Sequence, residues 1–386
     1  MDCKKGKCSL RVAIIDDGIN NELLQYLFFT NKKVRCLQVC NGICITQFLL
    51  PTKPENHGTL CTALLMEYLQ KNGTLDNIDI TSISILNSQQ EQCLDAFIIA
   101  LEWCAEKRLD IVLMSIGIKF PTYARRLLPA IQQLKNNMVT MIAATANDST
   151  ITYPACFKNV IGVKKSKGFL GLLDEINVIK EPVDGIEVTA AFSNSLVMEK
   201  YNKKYLDVYG NSNSFMVPFV ASFICDLLTK KGRMTKAEIL ASLPQERTDM
   251  EILPGLESIS AKDIPMVAVL YDEVGDWDFK AILEATIRKF EIEGYSCMCL
   301  TDTSSKSMLE RSIFHLPRHR VNEWVGYYCH LLSNNSVIMI LVDMYCGNLD
   351  LERMDATFMF REITDLEAEA EGIADTLVDW TLKELA

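Results

Sequence analysis

VAIIDDGI, residues 12–19, decides the fold. A short apolar run stopped by Asp-Asp-Gly reads as a buried strand meeting the carboxyl edge of a parallel sheet. In open α/β sheets, functional residues gather at that edge, which makes Asp16 a candidate site residue. Outward from this strand, helical and apolar segments alternate. HGTLCTALLMEYLQKNG (57–73) carries apolar residues at helical spacing and stops on Gly73. ITSISIL (80–86) predicts a strand, CLDAFIIALEWCAEK (93–107) a helix, and DIVLMSIG (110–117) a strand. YARRLLPAIQQLKNN (123–137) predicts a helix, followed by strands MVTMIAAT (138–145) and NVIGVKK (159–165). The alternation predicts an α/β fold, a doubly wound parallel sheet covered on both faces. FMVPFVASFICDLLTKKG (215–232) predicts a long buried helix with Pro218 in its first turn, where proline is tolerated, and KAEILASL (236–243) a short one.

The chain of 386 residues is long enough for two domains. The first is expected over residues 1–245. A polar, turn-rich linker spans 246–264, and a second, smaller α/β three-layer domain spans 265–386. In the latter, strands PMVAVLY (265–271), YSCMCLTD (295–302) and SVIMILVDM (336–344) interleave with helices at 278–294, 321–334 and 366–386.

Composition excludes several classes. A net charge of −11 argues against nucleic acid or an anionic membrane as the main partner, because phosphate binding needs clustered Lys and Arg. No segment reaches the roughly 18 apolar residues of a membrane span. The start of the sequence runs straight into the first strand, without the apolar core and cleavage site of a secretory signal. With 14 cysteines and no export signal, reduced thiols in the cytoplasm are expected rather than a disulfide scaffold.

Three further stretches complete a reactive set around Asp16: NHGTLCTALL (56–65), MIAATAND (141–148) and SNSFMVPFVAS (212–222). His57 is the sole histidine of the first domain, since His315, His319 and His330 all lie in the second. An imidazole acting as general base there must be His57. Asp16 suits the role of fixing its tautomer, with Asp17 as the rival. Ser214, at the head of a buried helix, suits the nucleophile. Asn147 suits an oxyanion donor.

These motifs resemble the subtilisin-like serine peptidases. Asp16-Asp17-Gly18, His57-Gly58-Thr59, Ala143-Ala144-Thr145-Ala146-Asn147 and Ser212-Asn213-Ser214-Phe215-Met216-Val217-Pro218-Phe219-Val220-Ala221 are similar to that family's four signatures over about residues 10–245. The resemblance implies a subtilisin-like sheet and an Asp16–His57–Ser214 triad with Asn147 beside it. It also implies main-chain contacts from Ser115, Ile116 and Gly117 to a peptide substrate bound as an extended strand. Glu91, in the stretch placed opposite, would favour a basic residue.

Three positions depart from the pattern: Ser212 and Asn213 replace Gly-Thr before the nucleophile, and Ala146 replaces the glycine before Asn147. The first strand begins near residue 11, which leaves no room for an inhibitory prodomain ahead of it. Together with the missing export signal, this resembles intracellular subtilases that remove leader peptides. The second domain is expected to dock the precursor peptide or a maturation enzyme. No cofactor or metal is expected. Cys36, Cys40 and Cys44 read as scattered thiols, and His315, His319, Cys329 and His330 as no zinc set. The alternative is a catalytically impaired, peptide-binding subtilase homologue.

Overall fold

A computed structural model describes residues 9–28, 33–40, 42–46, 56–86, 93–166, 174–180, 182–193, 195–199, 212–245, 264–272, 278–332, 335–345, 349–360 and 369–386. Glu91 and nearly all of the expected linker lie outside these residues. The chain divides into two compact units, the first chiefly within residues 1–248 and the second chiefly within 249–386.

The first unit is built on a nine-stranded sheet in the order β3-β2-β4-β1-β5-β6-β7-β9-β8. Its strands are β1 (Leu10–Asp16), β2 (Arg35–Cys40), β3 (Ile43–Thr46), β4 (Ile78–Ser84), β5 (Ile111–Met114), β6 (Thr140–Ala144), β7 (Ile161–Lys165), β8 (Glu175–Val178) and β9 (Val188–Ala191). Every pairing from β2 to β9 is parallel, and antiparallel β3 and β8 close the two edges. The pairs β2–β3 and β8–β9 extend the sheet beyond what the apolar runs predicted. Edge strands are half exposed and carry mixed residues, so they lack the continuous apolar signature of buried parallel strands.

Around β1 the chain winds in opposite directions, through β2 and β4 on one side and β5, β6 and β7 on the other. This is the switch point of the sheet, where a crevice opens beyond the carboxyl ends of the strands. Val12 to Asp16 are all buried there.

Strand alternation sends Val12, Ile14, Leu113 and Ile142 to one face. On that face they share a core with α2 (His57–Lys71) and α5 (Met216–Lys231). α2 is buried from Gly58 through Leu69, which explains why it is apolar on all sides rather than amphipathic. α1 (Asn21–Phe28) flanks α2, and α3 (Leu94–Glu106) packs on β1 and on α4 (Leu128–Asn136). The predicted helix over 123–137 is interrupted: Arg125–Leu127 form a 3-10 turn, and α4 starts afresh with Pro129 in its first turn. A capping box at Thr235 and Glu238 starts α6 (Lys236–Ser242).

The second unit holds a five-stranded, wholly parallel sheet, β12-β11-β13-β10-β14. β10 (Met266–Tyr271), β11 (Cys297–Thr301) and β13 (Val337–Asp343) are the three predicted strands. β12 (Ile313–His315) and β14 (Ala356–Met359) are two more. Three or four residues are too few for periodicity to stand out in a sequence. α7 (Phe279–Ile292) and α9 (Ala370–Leu385) pack together on one face over Val267, Val269, Cys299 and Ile313. Phe314 points the other way, onto Tyr328 of α8 (Val321–Leu331), giving three layers.

Candidate active site

Asp16 ends β1 and is only 2% exposed. His57 begins α2, and its Nδ1 lies 2.9 Å from each carboxylate oxygen of Asp16. The contact requires α2 to seat its first turn against the loop after β1. A Cβ on Gly58 would come within 2.4 Å of the Gly18 carbonyl oxygen and 2.9 Å of Asp17 Oδ1, so glycine is needed there. The neighbour that it makes room for is the chain's own loop. Thr59 adds to the docking by accepting the Asn20 N–H at 2.8 Å.

Asp17, the rival orienter, has a different task. Its Oδ2 accepts the His57 N–H at 3.1 Å, and its Oδ1 accepts the Gly58 N–H at 2.7 Å and Asn56 Nδ2 at 2.9 Å. Asn56, in the N-cap position, makes no side-chain cap of its own. Asp17 thus caps α2 from another part of the chain and satisfies two of the helix's open N–H groups. Burial, with the Asp16 charge beside it, pushes this carboxyl up to about 6. That Asp17 caps a helix beginning forty residues further on was not legible in the sequence.

Ser214 sits in the 3-10 turn Asn213–Phe215 that leads into α5, and its Oγ is 2.8 Å from His57 Nε2. Phe215 stacks on the imidazole at 5.4 Å between centroids, covering one ring face. On the Cys61 side, Sγ lies 3.8 and 3.9 Å from the two ring nitrogens. Burial pushes the Cys61 thiol up, so it is neutral at physiological pH and acts as packing. Among the described residues, Asp16, His57 and Cys61 are the one trio of potential metal donors within 4.8 Å of one another, and Asp16 is already engaged with His57.

Asn147 follows β6. Its Oδ1 accepts the Asn213 N–H at 2.8 Å, an assignment fixed by the donor, which leaves Nδ2 as the donating end. Asn213 is therefore a brace. Its Nδ2 donates to the Ala146 carbonyl at 2.8 Å, and its Oδ1 accepts the Lys165 N–H at 2.8 Å. The departure from threonine at this position ties the turn that carries Ser214 to the Ala146–Asn147 loop and to β7. Asn147→Ala is expected to lower kcat by about 10²–10³-fold with little change in KM, the loss found when one oxyanion donor is removed. Steady-state kinetics on a chromogenic peptide checks it.

Ser115, Ile116 and Gly117 continue the line of β5, between the strands that carry Asp16 and Ala144. Gly117 is pressed on Thr152, whose Cγ2 would stand 2.2 Å from a Cβ at 117. Just beyond, Ile118 and Tyr153 exchange both backbone hydrogen bonds at 2.8 Å, which holds the segment extended.

The sequence profile of the subtilase family, Peptidase_S8, matches residues 9–243. The chain belongs to the subtilase family. Subtilisin DY from Bacillus licheniformis is 23% identical over 257 residues, 63% of this chain and 85% of that protein. Similar solved structures include Sphericase, at TM-score 0.43 and 15% identity, covering 61% of this chain and 82% of that one. The nisin leader peptidase NisP from Lactococcus lactis matches at TM-score 0.41 and 14% identity, over 60% and 81%. This subtilase is a subtilisin-like serine endopeptidase. No described helix is long and apolar enough to cross a membrane. In the second unit, His315, His319, Cys329 and His330 form no cluster of donor atoms among the described residues.

Electrostatics sets the working pH of this subtilase. Burial disfavours the His57 imidazolium, but the Asp16 carboxylate against Nδ1, together with the Cys61 sulfur beside the ring, outweighs it and holds the pKa well above 6.5. Imidazolium has no lone pair for the Ser214 proton, so kcat/KM is expected to fall as the pH drops through a midpoint above 6.5. The same shift stabilises the fold below pH 6.5, and that contribution is lost as the pH rises through the folded-state value. A pH profile of kcat/KM with a peptide ester reads the first effect. A midpoint at or below 6.5 would contradict the Asp16–His57 coupling.

Proposed function

We propose that this subtilase cleaves a specific precursor peptide in the cytosol, removing a leader segment during maturation of a peptide product. The observation that carries the catalytic part is the unbroken line of hydrogen bonds from Asp16 through His57 to Ser214, at 2.9 and 2.8 Å. In this reading His57 Nε2 takes the Ser214 proton as Oγ attacks the scissile carbonyl, and then gives that proton to the leaving amine. Asp16 accepts from Nδ1–H, holds the tautomer and stabilises the imidazolium. Asn147 Nδ2 and the Ser214 N–H receive the oxyanion, aided by the N-terminus of α5. Water then repeats the sequence on the acyl-enzyme.

Ser115, Ile116 and Gly117 bind the peptide backbone as an added strand. The cytosolic assignment rests on cysteine usage: Cys61, Cys104, Cys156, Cys225, Cys297 and Cys299 are buried free thiols. The second unit, with its own sheet and core, is assigned to docking the precursor or a partner enzyme.

A fluorophosphonate probe tests the chemistry, because it should label the wild-type protein and not Ser214→Ala. Digestion of synthetic precursor peptides, each a leader joined to a product segment, tests the specificity. One cut between leader and product is expected, whereas scattered cleavage of unrelated unfolded proteins at equal rate would overturn the maturation role. For docking, the intact but inactive Ser214→Ala chain should bind the full precursor more tightly than the product segment alone, as read by anisotropy.

A further inference from the structure

Ser212 stands where the family pattern has glycine, and its hydroxyl is aimed at the reacting atoms. Ser212 Oγ lies 2.6 Å from Ser214 Oγ and accepts the Ser214 N–H at 3.3 Å. It also serves as the N-cap of the turn that carries the nucleophile, with φ −78° and ψ 132°. An oxyanion formed at Ser214 shares its carbon with Ser214 Oγ and lies about 2.7–3.1 Å from the N–H donor. It must therefore stand against the same two atoms that Ser212 Oγ touches.

The protons around this hydroxyl can be assigned consistently. With Nδ1–H given to Asp16, His57 Nε2 is an acceptor and takes the Ser214 O–H. The remaining lone pairs on Ser214 Oγ then accept the Ser212 O–H, and Ser212 Oγ accepts the Ser214 N–H. Every donor in the ring has an acceptor, and the resting site is complete without substrate.

We propose that the Ser212 hydroxyl is a resident occupant of the oxyanion position, which a substrate carbonyl must displace before Ser214 can attack. It slows acylation in two ways: it holds the N–H meant for the oxyanion, and it engages the lone pair on the nucleophile. Rotation about the Ser212 side chain clears the site without moving the backbone. Loose binders lack the contacts to drive that rotation, whereas an extended peptide held along Ser115–Gly117 has them. The inference rests on the assignment of Ser214 as nucleophile.

The test measures the second-order rate of fluorophosphonate labelling on the full chain. In that reaction Ser214 Oγ bonds to phosphorus, the P–F bond breaks, fluoride leaves and the proton passes to His57. The phosphoryl oxygen takes the oxyanion position. Ser212→Ala is expected to label about tenfold faster than wild type, from the loss of the hydrogen bonds that must be exchanged. Ser212→Thr, which keeps the hydroxyl, should stay near the wild-type rate.

A dormant wild type with a labelled Ser212→Ala would show the occupant acting as a complete block, and supports the proposal. Equal or slower labelling of a Ser212→Ala protein with unchanged Tm overturns it and leaves the nucleophile assignment intact. Labelling of neither protein defeats the nucleophile assignment and this inference with it.

Discussion

Ser214→Ala is expected to lower kcat/KM by about 10⁶-fold, the scale on which removal of the nucleophile acts in subtilisin. Ser214 Oγ lies 2.8 Å from His57 Nε2, so the substitution takes away the hydroxyl whose proton the imidazole is placed to receive. The residual rate should equal that of the His57→Ala protein and of the double variant. Nucleophile and base work as one unit, and losing either removes the same step. Single-turnover assays on a purified peptide read all three. Losses that multiplied in the double variant would mean that Ser214 and His57 act in separate steps, which the 2.8 Å contact between them contradicts.

Asp16→Asn should cost about 10⁴-fold in kcat/KM, a loss characteristic of triads locked in the wrong tautomer. The local geometry explains why the substitution is severe. The Asp17 N–H donates to Asp16 Oδ1 at 2.8 Å, so the amide oxygen of an asparagine is drawn to that position. Its NH₂ then faces His57 Nδ1, where Oδ2 stood at 2.9 Å. Nδ1 must become an acceptor, the ring proton moves to Nε2, and Ser214 loses its base. The acid limb of the pH profile should also shift downward, because the carboxylate that raised the His57 pKa is gone. A variant that lost activity but kept the wild-type midpoint would mean that another group raises that pKa.

Much of the fold was legible because buried parallel strands write themselves as unbroken apolar runs. VAII in β1, IVLM in β5 and MIAA in β6 could be assigned from residues alone. The edges were less legible. β3, β8, β12 and β14 are three or four residues long and partly exposed, so neither length nor pattern separates them from loops. The break before α4 was likewise hidden, since the residues on both sides of Pro129 favour helix.

For the site, the sequence by itself determined the candidates. With one histidine in the first unit and an aspartate at the end of the central strand, few pairings were open to the chemistry. Residue type fixes what a group can do, and that much is local. Partnership is not local. Tertiary structure alone decided that Asp16 faces the imidazole while Asp17 turns to the backbone of α2. It also decided that Asn213 braces Asn147 and that the Ser212 hydroxyl rests on Ser214 Oγ. Each outcome depends on distances between residues two to 66 positions apart. The seating of α2 and α5 at the switch point of one sheet sets those distances, because packing at close to crystalline density leaves each group a single place to stand.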